Sequence, residues 1–271
     1  MNKRIGFIGC GNMAQAIIGG IIKAKVVSSE EVMASDVLER NLAIAKESYK
    51  IEISSNNIDV AKFSDILVLA VKPNMYSAVM EEIKTAVRED VIIVTIAAGI
   101  TIDFVEKTFG RGIKVVRTMP NTPALVGEGM SAVSLNKLIS KEDEELVLSI
   151  FRSFGKAEVI DEKLMDAIPA VSGSSPAYVY MFIEALADGA VLQGIARDKA
   201  YKFAAQAVLG AAKMVLETGM HPGALKDNVC SPGGTTIEAV AALEEKGFRS
   251  AIISAMNRCT EKANEMSKGS K

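Results

Sequence analysis

The sequence predicts an α/β fold: a doubly wound parallel sheet followed by an all-helical C-terminal domain. Three observations predict it. Through about residue 160, short β-branched runs alternate with stretches of helical period, the rhythm of parallel strands joined by crossover helices. After about residue 162 that rhythm stops, and a long Ala- and Gly-containing stretch of helical propensity follows. Hydrophobic residues make up 49% of the chain while aromatics make up 5%, with no Trp. Such an aliphatic mixture suits helices packed on a parallel sheet. The 271 residues are ample for two domains, expected at 1–162 and 163–271.

The first strand is "RIGFI" (4–8). Lys3 and Arg4 precede 18 uncharged residues, Ile5 to Ile22, which superficially resembles a secretory signal or a membrane span. Gly6, Gly9, Gly11, Gly19, Gly20, Asn12 and Gln15 interrupt that run, so a strand, a glycine turn and a helix explain it better. "EVMAS" (31–35), "DILVLAV" (65–71), "VIIVTIA" (91–97) and "KVVRTM" (114–119) read as the next strands. "MSAVSL" (130–135) and "KAEVI" (156–160) extend the sheet around a charged amphipathic helix at 140–154. "AVSGSSPAYVY" (170–180) interrupts a helical run at Gly173 and Pro176, predicting a kink. From Ala170 to Val215 only seven of 46 residues are charged. Helices so apolar around their circumference predict an interface with a second copy of the chain. The terminal "SKGSK" reads as a frayed tail.

Charge and cysteine usage exclude several functions. Formal net charge is -2, from 31 basic and 33 acidic residues that are interspersed, so no basic stripe points to nucleic acid or anionic lipid. Cys10, Cys230 and Cys259 have no paired spacing, and His221 is the single histidine. A disulfide framework and a metal site are therefore not expected, and a reducing cytoplasm fits.

"GFIGCGNMA" (6–14) places Gly9-x-Gly11-x-x-Ala14 between the first strand and its helix. Gly9 permits a tight turn, Gly11 lets backbone approach a pyrophosphate, and Ala14 allows close helix packing. The helix N-terminus adds N–H donors and a positive dipole end, so a dinucleotide is the expected ligand. Cys10 lies inside the turn with no Lys or His neighbour to activate it. Asp36 follows the second strand, 27 residues after Gly9. An acid there binds the adenosine ribose hydroxyls and disfavours a 2′-phosphate, whereas Ser35 and Arg40 favour one. "AVKP" (70–73) and "TIAAG" (95–99) end later strands, where open α/β sheets place ligand contacts.

"RTMPNTPALVGEG" (117–129) sets Pro120 and Pro123 around Asn121 and Thr122, a rigid loop suited to shaping a pocket. "DNVCSPGGTTIEAV" (227–240) reads as a glycine-bared helix entry with no His or Lys, its one Cys lying before the glycines. Thr235-x-x-Glu238 has the spacing of a capping box, which assigns Thr235 to the helix end.

Together "GFIGCGNMA", "AVKP", "MPNTP", "SGSSPAY" and above all "HPGALKDNVCSPGGTTIEAVAALEEKG" (221–247) resemble the pyrroline-5-carboxylate reductase family over essentially the whole chain. The resemblance implies a Rossmann-like N-terminal domain and a helical domain that interlocks into a homodimer or a higher homo-oligomer such as a decamer. It implies an active site between the cofactor of one subunit and helices of both. The implied reaction reduces the C=N bond of 1-pyrroline-5-carboxylate to L-proline with NADPH, or also NADH. Carried over residue by residue, Ile8, Gly9, Cys10, Gly11, Asn12 and Met13 contact the dinucleotide, as do Ala70, Val71, Lys72 and Pro73. Asn57 lies on the adenosine side. Ser231, Gly233, Gly234 and Thr236 hold the substrate, with Thr236 serving the ring nitrogen. Asp36 departs from the family, whose members often carry a small neutral residue there. A 3-hydroxyacid dehydrogenase is the rival enzyme, but it resembles a pattern with a catalytic Lys soon after Gly173, and no Lys precedes Lys199. A non-catalytic nucleotide sensor is the rival of another class.

Overall fold

The computed structural model describes residues 3–269. Its strands are β1 (Ile5–Ile8), β2 (Val32–Ser35), β3 (Glu52–Ser54), β4 (Ile66–Leu69), β5 (Ile92–Thr95), β6 (Lys114–Met119), β7 (Gly129–Leu135) and β8 (Gly155–Val159). Between them run α1 (Asn12–Lys23), α2 (Glu39–Tyr49), α3 (Asn57–Phe63), α4 (Tyr76–Ile83), α5 (Ile102–Phe109) and α6 (Lys141–Arg152). The rest is helical: α7 (Ser175–Leu192), α8 (Arg197–Thr218), α9 (Pro222–Val229), α10 (Thr235–Glu245) and α11 (Phe248–Gly269). Two compact units result. One takes the described residues through Ser174 together with those from Cys259 onward, and the other is Ser175–Arg258.

In the first unit all eight strands form one sheet, ordered β3-β2-β1-β4-β5-β6-β7-β8. Side chains alternate across its two faces, as a strand requires. Ile5, Phe7, Ile66, Val68, Ile92, Val94 and Val116 join a core with residues of α1, α2 and α6. Ile8, Leu67, Leu69, Ile93 and Val115 join a second core with residues of α3, α4 and α5. Burial on both faces explains why these strands read as continuous apolar runs. The sheet is mixed rather than wholly parallel: β6 pairs antiparallel with β7, and every other neighbouring pair is parallel. The chain reverses its winding between β1 and β4, so the crevice of the fold opens above their C-terminal ends.

Two polar devices hold strand ends and chain ends in place. The Tyr76 phenol is fully buried, and burial holds its pKa well above the ordinary tyrosine value. It donates to the Leu69 carbonyl at the end of β4 and accepts from the Ile96 N–H just beyond β5. Arg117 of β6 is only 4% exposed. Its guanidinium meets Glu162 at 3.4 Å and Asp166 at 2.6 Å, and the Ser267 hydroxyl donates to the same Asp166 oxygen at 2.8 Å. A buried cation is tolerated because both its charge and its donors are matched. The expected frayed tail is therefore not found at Ser267, which is buried in α11; Ser270 and Lys271 lie outside the described residues.

The second unit is all helix. Pro169–Gly173 forms a π-helical turn, the chain bends at Ser174, and α7 opens at Ser175 with Pro176 in its first turn. The expected kink is thus a complete break, with Pro placed where its missing N–H costs nothing. Of the 18 residues of α7 only Ala187 is buried, and α8 buries only Ala200 and Ala204. Tyr180, Met181, Leu192, Phe203 and Leu216 are exposed in the single chain. No helix among the described residues is long and apolar enough to cross a membrane.

Replacing Tyr76 by Phe keeps the ring but orphans the Leu69 carbonyl and the Ile96 N–H, at a cost of about 1–3 kcal/mol. The expected outcome is a thermal midpoint at least ~2 °C lower, with weaker nucleotide binding because both strand ends border the crevice. An unchanged midpoint would show that the phenol is not holding them.

Candidate active site

The nucleotide end is built where β1 meets α1. The Gly9 N–H donates to the Ser35 carbonyl at 2.8 Å, and the Ala70 N–H donates to the Ile8 carbonyl at 2.8 Å, so the turn is stitched to both neighbouring strands. Gly9 has φ +93, and a Cβ there would lie 2.5 Å from the Ala70 carbonyl oxygen. No other residue fits that position. Gly11 N-caps α1, and a Cβ on it would meet nothing within 4 Å. The first N–H groups of α1 lack intrahelical partners by geometry, so an open face and free donors coincide, as a pyrophosphate requires. Asn12 is exposed in that first turn. Gln15 braces the loop from below by donating to the Cys10 carbonyl at 3.0 Å.

A cavity of about 360 Å³ lies above the strand ends, within the usual size of a small-molecule site. Met13 contributes from α1, Ala70, Val71 and Pro73 follow β4, Ile96 to Ala98 follow β5, and Met119 to Thr122 follow β6; Gly173 completes it. Met13, Ala70, Val71 and Pro73 are thus brought together, whereas Lys72 is exposed and does not line the cavity. The residues after β5 and β6 are absent from the set carried over by resemblance, although "TIAAG" and "MPNTP" are visible signals for them. Asn121 shows how that loop is held: its amide donates to the Ser172 carbonyl at 2.9 Å, and its Oδ1 accepts from the Met130 N–H at 2.9 Å.

The residues expected on the adenosine side also come together. The buried Ser35 hydroxyl donates to Asn57 Oδ1 at 2.8 Å, and Asn57 Nδ2 donates to Glu82 at 2.9 Å. Asp36 accepts from the Cys10 N–H at 2.7 Å, from the Leu38 N–H at 2.8 Å and from Asn41 Nδ2 at 3.2 Å.

In the second unit, Ser231 to Gly234 make a tight turn between α9 and α10. The Gly234 N–H donates to the Ser231 carbonyl at 3.0 Å, and Gly233 has φ +65. Pro followed by a positive-φ Gly is the residue pattern of a type II turn. A Cβ on Gly234 would lie 2.3 Å from Ser231 Oγ, so a larger residue there would displace the Ser231 hydroxyl. This geometry corrects the expected capping box. Gly234, not Thr235, is the N-cap of α10, and no side chain caps it. Thr235 sits one position inside the helix and is exposed, while Thr236 is half-buried. The turn fixes the helix entry one residue earlier than the Thr-x-x-Glu spacing suggests. His221 has a structural role, with Nδ1 accepting from the Gly223 N–H at 3.1 Å at the start of α9.

Cys10 has no exposed surface, and burial, followed by the nearby Asp36 charge, pushes its thiol up to about 11. At neutral pH it remains a thiol and a poor nucleophile. Iodoacetamide should therefore label the half-buried Cys230 and Cys259 well before Cys10, as read by peptide mass mapping. Prompt labelling of Cys10 in the native protein would contradict the closed turn.

Two family profiles match separate stretches of the chain. Residues 162–266 match the family profile described as pyrroline-5-carboxylate reductase dimerisation, and residues 4–99 match one described as NADP oxidoreductase coenzyme F420-dependent. The chain is 53% identical over 268 residues to the pyrroline-5-carboxylate reductase of Escherichia coli strain K12, covering 99% of this chain and 100% of that one. The structure of a pyrroline-5-carboxylate reductase from Coxiella burnetii superposes with a TM-score of 0.92 at 34% identity, covering 98% of this chain and 99% of that one. The NADP-bound enzyme of Plasmodium falciparum gives 0.89 at 34%, covering 98% of both chains. A mixed Rossmann-like sheet, a glycine-bared turn before α10 and near-complete coverage by these relatives lead to one assignment: the chain belongs to the pyrroline-5-carboxylate reductase family.

Proposed function

We propose that this chain reduces the C=N bond of 1-pyrroline-5-carboxylate to L-proline, the last step of proline biosynthesis, through two glycine-bared helix entries. The observation that carries this reading is the pair itself: α1 behind Gly11 and α10 behind Gly234, each presenting free N–H donors and neither carrying a nucleophile. The nicotinamide of NADPH or NADH supplies the hydride when bound. Ile8, Gly9, Cys10, Gly11, Asn12 and Met13 form its pyrophosphate turn, Ser35 and Asn57 its adenosine side, and Ala70, Val71, Lys72 and Pro73 its second wall. The open space at Gly11 fits such a group. Ser231, Gly233 and Gly234 present the N-terminus of α10 to the substrate carboxylate, an interaction of about 0.3–2 kcal/mol from the dipole alone. Thr236 offers its hydroxyl to the ring nitrogen. The hydride goes to the C=N carbon and the ring nitrogen takes one proton from solvent, relayed through the Thr236 hydroxyl, so holding the anion and orienting the C=N bond is the protein's remaining work.

On this reading residues 1–162 handle the nucleotide, and residues 163–271 handle the substrate and self-association. The exposed apolar residues of α7 and α8 are the surface that joins the chain into a homodimer or a larger ring such as a decamer, in the cytoplasm. Alcohol oxidation of a 3-hydroxyacid would want a general base, and no Lys stands between Gly173 and Lys199. Loss of NADPH or NADH absorbance with 1-pyrroline-5-carboxylate, against a hydroxyacid with NAD as control, tests the reaction directly. Nucleotide binding without turnover would mean a sensor instead.

Thr236→Ala should lower kcat by about 10²-fold, the range for loss of one positioned donor, with little change in thermal midpoint. Thr235→Ala, at an exposed non-capping position, should leave both within error; stability changes at such sites stay within about 0.5 kcal/mol. If Thr236→Ala keeps full kcat, the hydroxyl does not serve the substrate. Dilution below the dissociation constant of the assembly should abolish activity, and an active monomer seen by light scattering would refute a shared active site.

A further inference from the structure

The adenosine side of the nucleotide crevice is acidic, and its neutral donors are already engaged. Asp36 stands where the chain leaves β2, and its carboxylate is immobilised by three donors from three places. Cys10 N–H and Asn41 Nδ2 both reach Oδ2, and Leu38 N–H reaches Oδ1. A carboxylate has about four acceptor sites, so it retains capacity for a further hydroxyl. The Ser35 hydroxyl, which could otherwise bind a phosphate oxygen, is buried and turned to Asn57 Oδ1. Asn57 in turn directs its amide to a second carboxylate, Glu82. The opposing cation is Arg40, exposed at the second position of α2 and without an ion pair or hydrogen bond among the described residues.

We infer that Asp36 makes this chain a nucleotide-discriminating reductase that takes NADH in preference to NADPH, by accepting the ribose hydroxyls and repelling a 2′-phosphate. The inference rests on the assignment of this crevice to the dinucleotide. Geometry and charge act in the same direction. A fixed, partly buried carboxylate beside a phosphate dianion is a like-charge contact, which specificity by exclusion exploits. It cannot swing away without releasing the Cys10 N–H that shapes the pyrophosphate turn. Arg40 has a long, unanchored side chain and would have to be ordered to compensate.

The test compares two probes that need no turnover, ADP-ribose and 2′-phospho-ADP-ribose, titrated calorimetrically into the full-length protein. The expected wild-type result is binding of ADP-ribose tighter by about tenfold or more, where tenfold corresponds to about 1.4 kcal/mol. Asp36→Ser should raise affinity for the 2′-phosphorylated probe and bring the ratio to unity or below. Arg40→Ala should leave wild-type preference for ADP-ribose unchanged or enlarged. Because Asp36→Ser also frees the Cys10 N–H, Asp36→Asn serves as the near-isosteric variant, and it should shift the ratio in the same direction. The kcat/KM ratio for NADH over NADPH should move in parallel. Equal affinities in the wild type, or a ratio unmoved in both Asp36 variants, would overturn the inference while leaving the crevice as the nucleotide site. Failure of both probes to bind any variant would overturn the site assignment as well.

Discussion

Strands buried on both faces can offer a ligand only their ends. Here the two faces are sealed by separate clusters of aliphatic side chains from opposite sets of helices, so nothing can approach the sheet broadside. Parallel alignment then places the free ends of β1, β4, β5 and β6 along one rim, and reversal of the winding between β1 and β4 opens that rim. Every nucleotide-facing feature depends on this constraint. Gly9 must turn within van der Waals reach of the Ala70 carbonyl, and the Tyr76 hydroxyl must join the ends of β4 and β5. A shift of one strand end would deform the turn, the cavity wall and the phenol's partners together.

The chemistry asked of the side chains is correspondingly light. The least exposed cysteine is kept protonated, and the single histidine serves a helix end. What the chain provides instead is orientation: main-chain donors fixed by glycine turns, supported by amide and carboxylate groups that are themselves held in place by hydrogen bonds. Such sites need no reorganisation when charge develops, which is the usual source of electrostatic catalysis. They also place selectivity at the periphery, in residues such as Asp36 that shape the turn and set its charge at once.

The nucleotide half of the molecule was more legible in sequence than the rest, for physical reasons. Period and β-branched composition announce strands that are buried on both faces, and seven of the eight were anticipated within a residue or two of their ends. The exception, β3, has three residues, "EIS", at the sheet edge and none fully buried, so it carries no apolar run to read. The antiparallel turn of β7 was equally silent, because orientation is set by the connection and not by the strand's own residues. The pairing of Arg117 in β6 left no local signal, because its partners lie 45 and 49 residues away in sequence. The Thr235 spacing misled because a local rule was satisfied while a competing turn, closed by Gly233 and Gly234, claimed the cap. The glycine fingerprint and the "SPGGTT" entry were legible because both encode main-chain conformations that other residues cannot adopt.

The last helix has a consequence for synthesis of the protein. α11 starts in the helical unit, yet its C-terminal half packs with the sheet unit. Ser267 reaches Asp166 there, Ala263 is buried, and Gly99 leaves no room for a side chain beside Met266. The sheet unit is therefore assembled from two segments separated by the whole of residues 175–258. On the ribosome, the sheet can form early, since domains tend to fold in order of emergence, but its Arg117–Asp166 corner must wait until the segment from Cys259 to Ser267 has emerged. Until then a buried cation and its carboxylates lack their cover, and a chain stalled before Ser267 would present that corner to solvent and to the quality-control machinery.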